Sequence, residues 1–160
     1  MSRRINTGRI DPKIFFNVTE LRRIEGTVRT AESRTSGEIR VMVTSDCTRR
    51  GLRKRSSAEE AEMQFVKHGL HKTREKTGVL ILVLLGPRKI ELRADSGIHK
   101  KVHPETWKDI VSGMEQHFRN RRFVDGICHG VSQVGERLAT HFPRKPGDVD
   151  ELPDDVIIGR

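Results

Sequence analysis

Glu38, Asp95 and Asp125 are three carboxylates whose places in the chain could bring them to one spot. Glu38 opens a run to Thr44 in which Ile39, Val41 and Val43 alternate with Arg40, Met42 and Thr44, the pattern of a strand. Asp95 follows a second alternating run, Lys89 to Ala94, and Asp125 stands at the opening of the last helical stretch. If the strand of Glu38 lies parallel to a central strand and the strand before Asp95 runs back, both carboxylates fall at one edge of the sheet. Asp125 joins them if its helix packs with its N-terminus over that edge. Gathered there, they would bind a hard cation, Ca²⁺ or Mg²⁺. Arg119 and Arg122 precede Asp125, and guanidinium forks hold phosphate oxygens bidentately. Such a set would orient a water and polarise a phosphoryl oxygen, giving slow phosphomonoester hydrolysis. The same ligands without turnover would make a metal-stabilised module that binds or assembles a protein partner. In the plainer alternative Glu38 is a wet strand end, Asp95 a turn former bonding its own backbone, and the arginines a solvated break. No catalytic residue is assigned.

A second kind of chemistry is anion attraction. Arg49, Arg50, Arg53, Lys54 and Arg55 fall within one short segment, where repulsion among like charges predicts a mobile loop without regular structure. With the basic N-terminal arm it would draw a polyanion such as nucleic acid, in competition with the commoner reading of a solvated, self-repelling loop. Stacking platforms for single strands are few, because the chain has no Tyr and only 4% aromatics, most of them wanted by the core. His99 with His103, and His68 with His71, stand at helical spacing, yet neither pair has a third ligand nearby beyond Asp95, which argues against zinc. Cys47 and Cys128 read as reduced thiols; His129 adjoins Cys128 in sequence, but consecutive helical residues point apart. Gly-x-Ser-x-Gly and Gly-x-Gly-x-x-Gly are absent, so neither a nucleophile elbow nor a nucleotide cofactor is expected.

The elements that must position these residues are organised around Val79 to Leu85, an aliphatic run too short to cross a bilayer and of the right length for a strand buried on both faces. Gly86-Pro87-Arg88 turns it into the Lys89 to Ala94 strand, making a hairpin. Asn17 with Glu20 forms a capping-box pattern ahead of Val18, Leu21, Ile24, Val28 and Ala31 at helical spacing. Ser57-Ala58-Glu59-Glu60 reads as another, opening a helix whose face is Ala58, Ala61 and Phe65. Pro104 suits the first turn of a helix striped by Trp107, Ile110, Val111, Met114 and Phe118. Phe123, Ile127, Val131, Val134 and Leu138 mark the last helix, where Gly126, Gly130 and Gly135 predict close packing. The expectation is an α/β fold: one domain, helices on both faces of a small mixed sheet. The net charge of +9 favours acidic partners. A basic start with no apolar stretch behind it predicts a cytoplasmic protein with no membrane span.

Thr35-Ser36-Gly37-Glu38-Ile39, Gly78-Val79-Leu80-Ile81 and Ala94-Asp95-Ser96-Gly97-Ile98, taken in order, resemble the TPM domain family. Trp107, Phe118-Arg119, Phe123 with Gly126, Gly135 and His141-Phe142-Pro143 continue the similarity from about Asn17 onward. The resemblance implies an α/β/α sandwich with a small mixed sheet. It also implies a phosphatase-like activity, and divalent-metal binding as in some bacterial relatives. A similar plant thylakoid domain is linked to photosystem repair. Many relatives carry a signal peptide and a transmembrane segment, which this sequence does not show. The chain is accordingly divided into a basic arm over 1–16, a TPM-like domain over 17–143, and an acidic tail over 144–160 that either is disordered or lies on the basic surface.

Overall fold

In the structure, a computed structural model, residues 10–159 are described. Of the expected basic arm, positions 1–9 therefore lie outside the described residues. The arm ends in a one-turn helix, α1 (Pro12–Phe15), capped by Asp11. Phe16 behind it is buried, while Ile14 is exposed. Asn17 then caps α2 (Val18–Glu32): its side chain accepts from the Glu20 N–H while Glu20 reaches back to the Asn17 N–H, as the sequence pattern requires. Of the apolar stripe, Ile24 and Val28 are buried, and so is Glu32 one turn beyond.

β1 (Glu38–Thr44) is buried along its whole length. The short strands β2 (Arg49–Arg50) and β3 (Arg53–Lys54) pair antiparallel, so the basic segment expected to be irregular is a β-hairpin. Gly51, the first of its two turn residues, has φ 66°, as a two-residue hairpin turn needs. Repulsion is relieved because Glu59 takes Arg53 through two hydrogen bonds of 2.9 and 2.7 Å and Asp46 takes Lys54. α3 (Ser57–Lys67) begins one residue earlier than its sequence pattern suggested, with Ser56 as cap and Glu59 completing the box. Ala61 and Phe65 are buried as the pattern requires, while Ala58 is exposed and Glu60 is buried, its carboxylate accepting from the Thr48 N–H, the Thr48 hydroxyl and the Gln64 amide.

After a 3₁₀ turn at Leu70–Lys72, β4 (Gly78–Leu84) runs parallel to β1, Glu38 opposite Gly78 and Thr44 opposite Leu84. β5 (Lys89–Ala94) returns antiparallel to β4. The short α4 (Ser96–His99) leads to α5 (Pro104–Arg119) and α6 (Phe123–His141). Residues 144–156 then bring β6 (Ile157–Ile158) alongside β1, parallel to it, giving the sheet order β5-β4-β1-β6. The acidic tail is therefore ordered over its described residues, and Val156 is buried in the core.

Alternation along β1 and β4 divides the core in two. Ile39, Val41, Val43, Val79, Ile81 and Val83 face α2, α5 and α6, whereas Met42, Leu80, Leu82 and Leu84 face α3 and Leu70. The fold is thus α/β, with helices on both faces of a mixed four-stranded sheet. The helix glycines serve close approach: a Cβ on Gly135 would lie 2.7 Å from the Ala31 Cβ, which brings α6 against α2. Among the described residues no helix is long and apolar enough to cross a membrane.

Candidate metal centre

Glu32 ends α2 and Glu38 begins β1, so the link between them folds two carboxylates toward each other. That link is held by the C-terminal end of α6: the Thr35 hydroxyl and the Ser36 N–H both donate to the Phe142 carbonyl, at 2.5 and 3.0 Å. Gly37 passes where a Cβ would lie 2.9 Å from Leu138 Cδ1 and 3.2 Å from the Thr77 carbonyl. The chain after α6 then crosses the same place. Arg144 donates through Nη1 to the Glu32 carbonyl and to Asp150 Oδ1, each at 3.1 Å, and through Nη2 to the Asp148 carbonyl at 2.8 Å. The Glu151 N–H donates to Glu38 Oε1 at 2.6 Å. Arg40, buried itself, donates to both the carbonyl and the carboxylate of Asp155 at 3.2 Å. Arg29 lies 3.7 Å from Asp154 Oδ2.

These contacts gather Glu32, Glu38 and Asp150 so that one carboxylate oxygen from each lies within 4.8 Å of the others, the single such group of acidic, His or Cys side chains among the described residues. Glu32 and Glu38 are 1% and 2% exposed, and Asp150 opens the group to solvent. Both Glu32 oxygens, Glu38 Oε2 and Asp154 Oδ1 are buried, and no N–H or hydroxyl group donates to them. Burial without a counter-charge favours the protonated form of a carboxyl. Glu32 is pushed up to about 12, first by burial and then by hydrogen bonds to Glu38 and Asp154 that only its protonated form can donate. Glu38 is also raised, by burial above all, with the bonds from Glu32 and from the Glu151 N–H acting the other way. Glu32 additionally sits at the C-terminal end of a helix, where the dipole disfavours a negative charge.

The other expected site residues are placed elsewhere. Asp95 is in register with Glu38 across the sheet, since its N–H donates to the carbonyl of Gly78, the partner of Glu38. One strand edge is thus shared, but β4 lies between, two strand spacings or about 10 Å. Asp95 instead caps α4 by accepting from the Ser96 N–H at 2.7 Å, close to the turn-forming alternative, and its second oxygen is buried and unpartnered. Asp125 pairs with Arg23 on α2 at 2.7 Å. Arg119 pairs with Glu115 one turn back along α5, and Arg122 is the exposed residue preceding α6. Cys128 is buried and accepts from the Thr27 hydroxyl at 3.4 Å, and burial first of all raises the thiol of the half-buried Cys47. His103 accepts from the Glu105 N–H to cap α5.

Glu32, Asp150 and Asp154 escaped the sequence reading. For Glu32 a signal existed: it stands four residues after Val28 and eight after Ile24, on the apolar stripe of α2, where a carboxylate must be buried with a partner. Asp150 and Asp154 lie in an acidic run whose neighbours only the tertiary path of the tail reveals.

The model of the TPM domain family matches residues 10–137. The solved structure of the BA42 protein from the psychrophilic bacterium Bizionia argentinensis is similar at 29% identity and a TM-score of 0.81, covering 91% of this chain and 96% of that one. The N-terminal domain of a protein from P. gingivalis matches at 17% identity and a TM-score of 0.61, over 79% and 78% of the two chains, which is a likeness of fold. Among curated proteins nothing matches.

Proposed function

The chain belongs to the TPM domain family, and from that premise we propose that it is a divalent-cation-binding module whose ion is held by Glu32, Glu38 and Asp150, with Asp154 beside them. The observation that carries this reading is the set of buried carboxylate oxygens that no N–H or hydroxyl group reaches, two on Glu32 and one on Glu38, converging with Asp150. Burying such groups is costly unless a counter-charge or a proton compensates. Carboxylate oxygens alone suit a hard cation, and Ca²⁺ accepts a crowded, irregular set of them more readily than Mg²⁺, which sheds its waters reluctantly. When bound, the ion supplies the missing positive charge. Glu32 and Glu38 come from the domain and Asp150 and Asp154 from the tail, so the residues that hold it also fasten residues 148–155 to the end of β1. Arg144 and Arg29 orient the tail carboxylates from outside the group. This favours a cation that stabilises a surface for a protein partner over phosphomonoesterase chemistry.

The test is Ca²⁺ and Mg²⁺ titration followed by melting, on the wild type and on Glu38→Gln, with phosphomonoesterase assayed alongside. A ligand of the native state must raise its stability, by about 2.7 kcal/mol at a hundredfold excess over Kd. A shift in the wild type that is lost in Glu38→Gln, without phosphatase turnover, is the expected result. No shift with either ion refutes the site, and cation-dependent turnover would restore the enzymatic reading.

A further inference from the structure

The β2–β3 hairpin carries the most exposed large apolar side chain among the described residues. Leu52, the second residue of its turn, is 97% exposed at the apex. Around it the charges are unequal in kind. Arg53 and Lys54 are neutralised by Glu59 and Asp46. Arg49 donates only to the Leu52 carbonyl and Arg55 to the Thr48 hydroxyl and the Arg49 carbonyl, so among the described residues neither these two nor Arg50 is paired with a carboxylate. The neighbouring β4–β5 turn adds Arg88 and Lys89 at the same end, since the Gly86 N–H donates to the Ser45 carbonyl just ahead of the hairpin. The acidic group stands at the other end of β1, seven residues or about 20 Å away.

We infer that this hairpin docks the protein on an anionic phospholipid surface, the arginines lying among the headgroup phosphates and Leu52 entering the acyl boundary. The apolar apex selects this occupant over nucleic acid. A phosphate backbone would be met by the arginines alone and would leave Leu52 in water, whereas a bilayer satisfies both. Basic residues near such a surface and an apolar side chain within it add their effects, and the electrostatic share is screened by salt. Because the acidic group stands at the other end of β1, docking through the hairpin leaves it on the side of the domain away from the bilayer. The proposal does not depend on the cation reading, because its residues and its test are separate.

The experiment is cosedimentation of the full chain with vesicles of zwitterionic phosphatidylcholine and with the same vesicles containing phosphatidylglycerol. Binding is expected to the anionic vesicles only, and to weaken as salt rises. Leu52→Ala should lower partitioning about tenfold, and combined Arg49→Ser, Arg50→Ser and Arg55→Ser about a hundredfold. All four side chains are at the surface or hairpin rim, so the variants should melt as the wild type does. Leu52→Trp supplies an independent signal: its emission should shift to the blue on anionic vesicles while the buried Trp107 stays constant. Absence of vesicle binding, or binding indifferent to Leu52→Ala, overturns the proposal. Retention on duplex DNA without vesicle binding also overturns it, making the hairpin a polyanion binder.

Discussion

Replacing Glu32 by Gln tests the acidic group where its energetics are largest. Gln keeps the shape and the donor that protonated Glu32 offers to Glu38, while removing the need to bind a proton on folding. Glu32 has its folded pKa raised from 4.5 to about 12. A carboxyl raised in this way lets the native state hold a proton that the unfolded chain releases, so its penalty is absent below about pH 4.5 and grows as pH rises toward 12. Between 4.5 and pH 7 there are about 2.5 pH units, and at about 1.4 kcal/mol per unit for one proton the ceiling is about 3 kcal/mol. In chelator, Glu32→Gln should therefore be more stable than the wild type at pH 7 by up to about 3 kcal/mol, with the gap closing toward pH 5. Saturating Ca²⁺ should reverse the order, since the wild type gains a counter-charge for a full carboxylate and the variant loses a ligand. Urea denaturation with and without Ca²⁺ across this pH range reads both effects. A variant that is no more stable in chelator at pH 7, or one that Ca²⁺ stabilises as strongly as the wild type, refutes the reasoning.

Ile81→Asp places an unpaired charge at a fully buried position of β4 and should abolish cooperative melting, at a cost above about 4 kcal/mol. Gly97→Ala should destabilise by about 1 to 3 kcal/mol, because its Cβ would meet the Glu75 and Lys76 carbonyls at 2.5 and 2.6 Å, whereas Gly26→Ala, with nothing within 4 Å, should stabilise α2 by about 0.5 to 1 kcal/mol; thermal melts separate the two. Ending the chain at Pro143 removes Asp150 and Asp154 and should abolish any Ca²⁺-dependent rise in melting temperature, measured on whatever folded fraction remains.

β1, β4, β5, α5 and α6 were legible because each carries its own periodicity: Glu38–Thr44 and Lys89–Ala94 alternate, and Trp107 to Phe118 repeats at three and four. The basic hairpin was not legible because the partners that relieve its repulsion, Glu59 and Asp46, meet Arg53 and Lys54 only through the fold. Ser56 rather than Ser57 caps α3, a one-residue difference that local pattern could not decide, since both serines precede acidic residues. Of the candidate site, Glu38 was found and its partners were not. Asp95 does stand at the same sheet edge as Glu38, but sharing an edge is not contact when a whole strand intervenes. The true neighbours of Glu38 come from the end of α2 and from a tail that reads as solvent-loving and in fact lies against the sheet.

β6 covers β1 only at Met42 and Val43, although β1 has seven residues. The remainder of that edge is shielded by irregular chain from Glu151 to Val156, held through side chains instead of ladder hydrogen bonds. A single proteolytic cut in this segment would leave the strap free to peel away, and the uncovered row of N–H and C=O groups along β1 would become a template for pairing with another molecule. Colloidal stability is thus tied to the integrity of residues 144–159: a nicked preparation should form intermolecular sheet while most of each domain is still folded.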